Sequence, residues 1–184
     1  MCFCDRIKKT NLNLSKKCDW IEEEKIMIHI ESADMKYIDS CAEILQNSDL
    51  GKVYFSDYGK ATNMLAYAVE QKNVYVALDE NEKCLGFIYY MKNGVFGSYP
   101  YLHIVAVKEA YRSKGIGKQL IKYFEDNASD YSSTKYFLTV DDFNPRAKKL
   151  YETLGYQCVG ELPDFYRKGI TCYLMMKRRG QITL

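Results

Sequence analysis

The stretch Leu102–Leu120, LHIVAVKEAYRSKGIGKQL, constrains the fold of this chain more than any other. Leu102–Val107 places Leu, Ile, Val, Ala and Val around one His, the composition of a buried strand. Lys108–Tyr111 interrupts that run with charge. Arg112-Ser113-Lys114-Gly115-Ile116-Gly117 then leads into Lys118–Asn127, where Ile116, Leu120 and Phe124 recur at helical spacing. Strand, glycine loop and helix N-terminus in this order make an anion site. First-turn N–H groups lack intrahelical partners, and the positive end of the helix dipole attracts phosphate. Gly115 and Gly117 let the backbone approach closely, while Arg112, Lys114 and Lys118 add charge. The stretch reads as a phosphate- or pyrophosphate-binding turn; the bland alternative is a lysine-rich surface turn.

Two common phosphate motifs are excluded. A P-loop needs G-x-x-x-x-G-K-[ST], but Arg112 stands at the first glycine and Gln119 at the Ser/Thr. A dinucleotide fingerprint needs G-x-G-x-x-G, and counting from Gly115 puts Leu120 at the third glycine.

The rest of the chain supplies strands and helices around this unit. Residues 1–25 are polar and read as an N-terminal extension to a single domain over 26–184. Ile26–Ile30 is the first expected strand, followed by a helix capped by Ser32 or Asp34 and running to Asn47. A loop over Asp49–Gly59 precedes a helix at Lys60–Lys72. Val74–Leu78 and Cys84–Tyr90 form a hairpin, and Asn93-Gly94 turns the chain into Tyr99–Val107. After the glycine-loop helix, Lys135–Val140 is a strand. Asn144–Leu154 is a helix with Asn144 as cap, Pro145 in its first turn and Gly155 at its end. Ala147, Leu150, Tyr151 and Leu154 share one face of it. Tyr156–Val159 and Cys172–Lys177 close the chain as strands around a polar loop, Gly160–Gly169.

Charge and cysteine content narrow the setting. With 26 basic and 24 acidic residues the net charge is +2, too balanced to argue for nucleic acid. Seven cysteines, most of them single within apolar patterns, read as reduced thiols, and Cys2-x-Cys4 lacks a second metal-binding pair. No apolar run approaches the roughly 20 residues of a membrane span. The expected setting is cytoplasmic, as a monomer or homodimer, with no metal site.

The motif R-x-x-G-x-G at Arg112–Gly117, after a strand ending Ala106-Val107, resembles motif A of the GNAT superfamily of acetyl-CoA-dependent N-acetyltransferases. Asn144–Tyr156, NPRAKKLYETLGY, resembles the family's motif B, and the element order matches over about 26–178. The resemblance implies an α/β (α+β) fold with a mixed, mostly antiparallel sheet of six to seven strands flanked by about four helices. It also implies acetyl-CoA as co-substrate. The backbone of Val105, Ala106 and Val107 would pair with the pantetheine arm, and Arg112, Ser113, Lys114, Gly115, Ile116, Gly117 and Lys118 would hold the pyrophosphate. Asn144 matches a coenzyme-A-contacting Asn, and Tyr151 the tyrosine near the thioester sulfur that acts as general acid.

The general base is where the chain departs from relatives. Ribosomal-protein N-terminal acetyltransferases carry Glu five residues before the Asn; here it is Thr139, which cannot act as base near neutral pH. His103 matches one of two strand histidines of arylalkylamine acetyltransferases, and Tyr101 replaces the other. His103 is the expected base, with Asp141, Asp142 or solvent as alternatives, the two aspartates placed on an exposed turn. Tyr54, Phe55, Tyr101 and Phe165 are candidate acceptor contacts, alongside Tyr58, Asp164 and Tyr166. The implied activity is acetylation of a primary amine of a small molecule, polyamine or peptide N-terminus, with the N-terminus less favoured because of Thr139. A catalytically silent acyl-CoA-binding regulatory domain is the alternative.

Overall fold

The structure is a computed structural model that describes residues 27–128 and 134–180. The N-terminal extension and Ile26 fall outside these residues. Seven strands form one sheet in the order β1-β2-β3-β4-β5-β7-β6. They are β1 (His29–Ser32), β2 (Val74–Leu78), β3 (Cys84–Val95), β4 (Tyr99–Val107), β5 (Lys135–Asp141), β6 (Gln157–Pro163) and β7 (Thr171–Arg178). Neighbours are antiparallel except β4 and β5, which run parallel. The expected mixed, mostly antiparallel sheet is therefore observed.

Five helices pack on it: α1 (Ile38–Gln46), α2 (Asp49–Tyr54), α3 (Tyr58–Glu70), α4 (Ile116–Asn127) and α5 (Pro145–Thr153). On one face, Cys41, Leu45 and Leu65 of α1 and α3 cover Val76, Phe87 and Ile104. On the other, Leu120, Phe124 and Tyr151 of α4 and α5 cover Ile88, Leu102 and Leu138. Each such side chain contributes about 1.5–3 kcal/mol by leaving water, so both helical layers are held by burial.

Three local expectations are corrected. The segment Asp49–Gly59 contains a helix, α2, whose N–H at Gly51 bonds the Ser48 hydroxyl at 3.0 Å. Gly51 is required there because a Cβ would collide with the carbonyl of Leu45, where α2 crosses the end of α1. Asn93-Gly94 does not turn the chain: β3 continues to Val95 through an irregularity in its register, and the reversal falls at Phe96–Ser98. Pairing of Val95 with Tyr99 overrides the local turn signal. The polar loop before β7 is shorter than expected, since β6 pairs with β7 as far as Pro163.

Candidate active site

β4 and β5 pair only at Tyr101–Phe137 and Leu102–Leu138, so among the described residues the β5-facing edge of Val105–Val107 has no strand partner. Unpaired backbone groups at a strand edge are open to an extended ligand. A cavity of about 490 Å³ occupies the gap, lined by Val105, Val107, Gly117, Asn144 and Tyr151 among others.

At the α4 end, Gly115 is the N-cap with φ +82°, a left-handed conformation that glycine takes without a Cβ penalty. No side chain caps this helix, whereas Ser48, Asp57 and Asn144 cap α2, α3 and α5. Its first-turn N–H groups thus stay available to an anion. Ser113, Lys114 and Lys118 are exposed around the loop, and Ile116 is buried beneath it. Arg112 does something other than expected. Its Nε donates to the Val107 carbonyl at 3.1 Å and its Nη2 to the Asn47 carbonyl at 2.8 Å. The guanidinium ties the end of β4 to the end of α1 rather than facing the loop. Arg146, which the sequence reading passed over, reaches the loop instead, with Nη2 2.7 Å from the Ser113 hydroxyl.

α5 forms where its signals predicted. The Asn144 side chain accepts from the Ala147 N–H at 3.1 Å, Pro145 opens the first turn, and Gly155 follows the last at φ +90°. This frame turns Tyr151 inward, 7% exposed, with its ring edge-on to Tyr156 at 6.0 Å. Among the described residues no group hydrogen-bonds its hydroxyl, and burial raises its pKa, so the phenol stays protonated.

The opposite wall is polar. Tyr89 pairs with Ile104 and Tyr90 with Leu102, which leaves His103 as the extra residue of a bulge. The bulge places the His103 ring against Tyr89 and Tyr101, with centroids 4.8 and 5.9 Å away. Burial alone lowers its pKa, so the imidazole is neutral at neutral pH. Tyr101 and Thr139 hydroxyls lie 2.6 Å apart, and the Tyr166 hydroxyl is 3.2 Å from that of Tyr101.

Chain comparison settles the family. The model of the acetyltransferase (GNAT) family matches residues 38–156, well over half of the chain. The chain belongs to the GNAT acetyltransferase family. Curated relatives of this GNAT chain include thialysine N-epsilon-acetyltransferases, 37% identical over 70 residues in Sus scrofa and over 81 residues in Bos taurus. These matches cover 38% and 44% of this chain, and 41% and 48% of the relatives. The chain thus spans less than half the length of the curated relatives it matches. Solved GNAT structures share the fold. A Bacillus cereus GNAT acetyltransferase superposes with a TM-score of 0.67 at 16% identity, covering 84% of this chain and 99% of that one. The NatC complex bound to Gag peptide and CoA gives 0.67 at 19%, covering 83% and 99%.

Within this GNAT domain the cavity gathers Tyr54, Phe55, Tyr101, His103, Asn144 and Tyr151, all singled out from sequence. Phe165 is not among the lining residues; it is 57% exposed, and its neighbour Tyr166 lines the cavity instead. Asp141 is a second correction. It is no exposed turn residue but the last residue of β5, paired with Cys172, 6% exposed and lining the cavity. Asp142 is exposed, its Oδ2 accepting from the Thr171 N–H at 3.0 Å. The period-two alternation of Thr139 and Asp141 along β5 carried the missed signal. Among the described residues no three His, Cys, Asp or Glu gather as a metal site, and no helix is long and apolar enough to cross a membrane.

Proposed function

We propose that this GNAT domain transfers an acetyl group from acetyl-CoA to a primary amine of a small molecule, polyamine or peptide N-terminus, by direct attack in a ternary complex. One observation carries the reading. A single cavity is lined at once by Gly117 of the uncapped α4 terminus, by Tyr151 and by His103. The residues fit the co-substrate: the uncapped α4 turn suits its pyrophosphate, and the unpartnered edge of Val105–Val107 suits its pantetheine amides. Acetyl-CoA supplies the activated thioester carbonyl. His103, neutral through burial, accepts a proton from the acceptor ammonium, directly or through water. Tyr151, held protonated by the same cause, donates to the departing thiolate. Cavity walls from β4 and α5 hold the two partners in line, which removes much of the orientational cost.

The curated relatives named as thialysine N-epsilon-acetyltransferases support a small amine as acceptor. Thr139, in place of a carboxylate base, supports the same preference over a peptide N-terminus. A panel of primary amines, scored by free thiol released from acetyl-CoA, tests the proposal. Amine-dependent thiol release is expected. Coenzyme A binding without release for any amine would leave a silent acyl-CoA-binding domain.

A further inference from the structure

We propose that Asp141, flanked by Tyr54, is an anchor for a second ammonium group of the acceptor, so that the preferred acceptors are aliphatic diamines rather than monoamines. The proposal rests on the acetyl-transfer reading for the identity of the reacting amine, and on its own observations for the anchor.

Asp141 stands apart from the other acids of the domain. Among the described residues it is the one charged side chain in the buried set, at 6% exposure, and it lines the cavity. Its neighbours are the Tyr54 hydroxyl and the Cys172 thiol, both neutral, and among the described residues no ion pair reaches it. A carboxylate withdrawn from water without a counter-charge is costly, and buried charges are ordinarily paired. The Tyr54 hydroxyl, contributed by α2, is buried beside the carboxylate. It lies near enough for the carboxylate to help raise its pKa, after the larger effect of burial. A carboxylate and a neutral hydroxyl from separate elements thus converge beside one cavity with no counter-charge.

Among the described residues no cation completes this site. Arg167 lies close enough to act on Tyr54, but its Nη1 donates to the Val53 carbonyl at 3.0 Å. Lys60 lines the cavity with its Nζ 5.9 Å from the Phe55 ring. Neither forms an ion pair with Asp141. The surroundings suit an ammonium in another way: the Tyr54 ring sits 6.2 Å from Phe143 and 6.3 Å from Tyr166, and aromatic faces attract cations. His103 and Tyr151 share the same cavity. A diamine therefore presents one amine to them and the other to Asp141, whereas a monoamine leaves the carboxylate without a counter-charge.

The test compares putrescine with n-butylamine, which share a four-carbon chain and differ in the second amine. Calorimetry on the full chain saturated with coenzyme A measures binding of each. The wild type is expected to prefer putrescine by about ten- to a hundredfold, the range of a charge-assisted contact. Asp141→Asn, isosteric and uncharged, should bring putrescine down to the n-butylamine level with coenzyme A affinity unchanged. If that variant fails to bind coenzyme A, Tyr54→Phe takes its place and should weaken putrescine severalfold more than it weakens n-butylamine. Equal affinity of the wild type for both amines, or an undiminished preference in the variant, overturns the anchor. Thiol release measured on the same samples separates the two proposals. Putrescine bound without turnover supports the anchor and refutes acetyl transfer; turnover of both amines with equal affinity supports transfer and refutes the anchor.

Discussion

Replacing Tyr151 by Phe isolates the hydroxyl from the ring. The ring is what packs: it is 7% exposed and edge-on to Tyr156 at 6.0 Å, and Phe keeps both contacts. Among the described residues no group hydrogen-bonds the hydroxyl, and burial raises its pKa. Losing a hydrogen bond costs about 1 kcal/mol, and here none is lost, so stability should change by less than roughly 1 kcal/mol. The kinetic cost is larger. General-acid help is typically worth about 10²–10⁴ in rate, or roughly 3–5 kcal/mol of barrier. A raised phenol is not a poor donor here, because a thiolate forming in the same desolvated cavity has its own pKa raised. The decrease should appear in kcat, while acetyl-CoA affinity from calorimetry stays near wild type. Thermal unfolding and single-turnover thiol release measure the two sides. A Phe variant within about twofold of wild type, with chemistry rate-limiting, would refute Tyr151 as proton donor.

Burial holds the His103 pKa below its ordinary 6.5, so the base form persists down to that lowered value. Then kcat/KM should be flat near neutrality and fall as pH drops through a point below 6.5, and His103→Ala should abolish that limb; a limb above the ordinary value would point to another base. Gly117→Asp adds a Cβ that meets only the Val107 methyl at 3.8 Å, so the fold should survive while the charge repels pyrophosphate. The variant should lose the acetyl-CoA stabilisation that reaches about 2.7 kcal/mol at 100 times Kd, and an undiminished thermal shift would misplace the cofactor site. Arg112→Ala removes two partly solvated bonds to carbonyls and should destabilise by about 1–3 kcal/mol in denaturant unfolding. Unchanged stability with weakened acetyl-CoA binding would return Arg112 to the phosphate.

Local signals made the elements around the proposed cofactor site legible. Asn144, Pro145 and Gly155 define α5 within a few residues of chain, and that frame alone turns Tyr151 inward. Gly115 and the apolar spacing of Ile116, Leu120 and Phe124 likewise define α4. What stayed hidden depends on partners distant in sequence. The side-chain direction of His103 follows from a bulge set by pairing with β3. Asp141 is buried because β5 runs on beside Cys172 of β7, and its period-two alternation with Thr139 is the one local sign of that. Arg112 looked like a phosphate ligand because one of its two acceptors, Asn47, lies on another element. α2 was masked by Gly51, a poor helix former kept for close approach to α1.

The central claim, direct transfer between two substrates held in one cavity, is tested by initial rates with acetyl-CoA and the best amine of the panel varied together. Attack within a ternary complex predicts intersecting reciprocal plots and no thiol release before amine is added. Parallel plots, with a burst of thiol from acetyl-CoA alone, would reveal an acetylated enzyme and contradict the account.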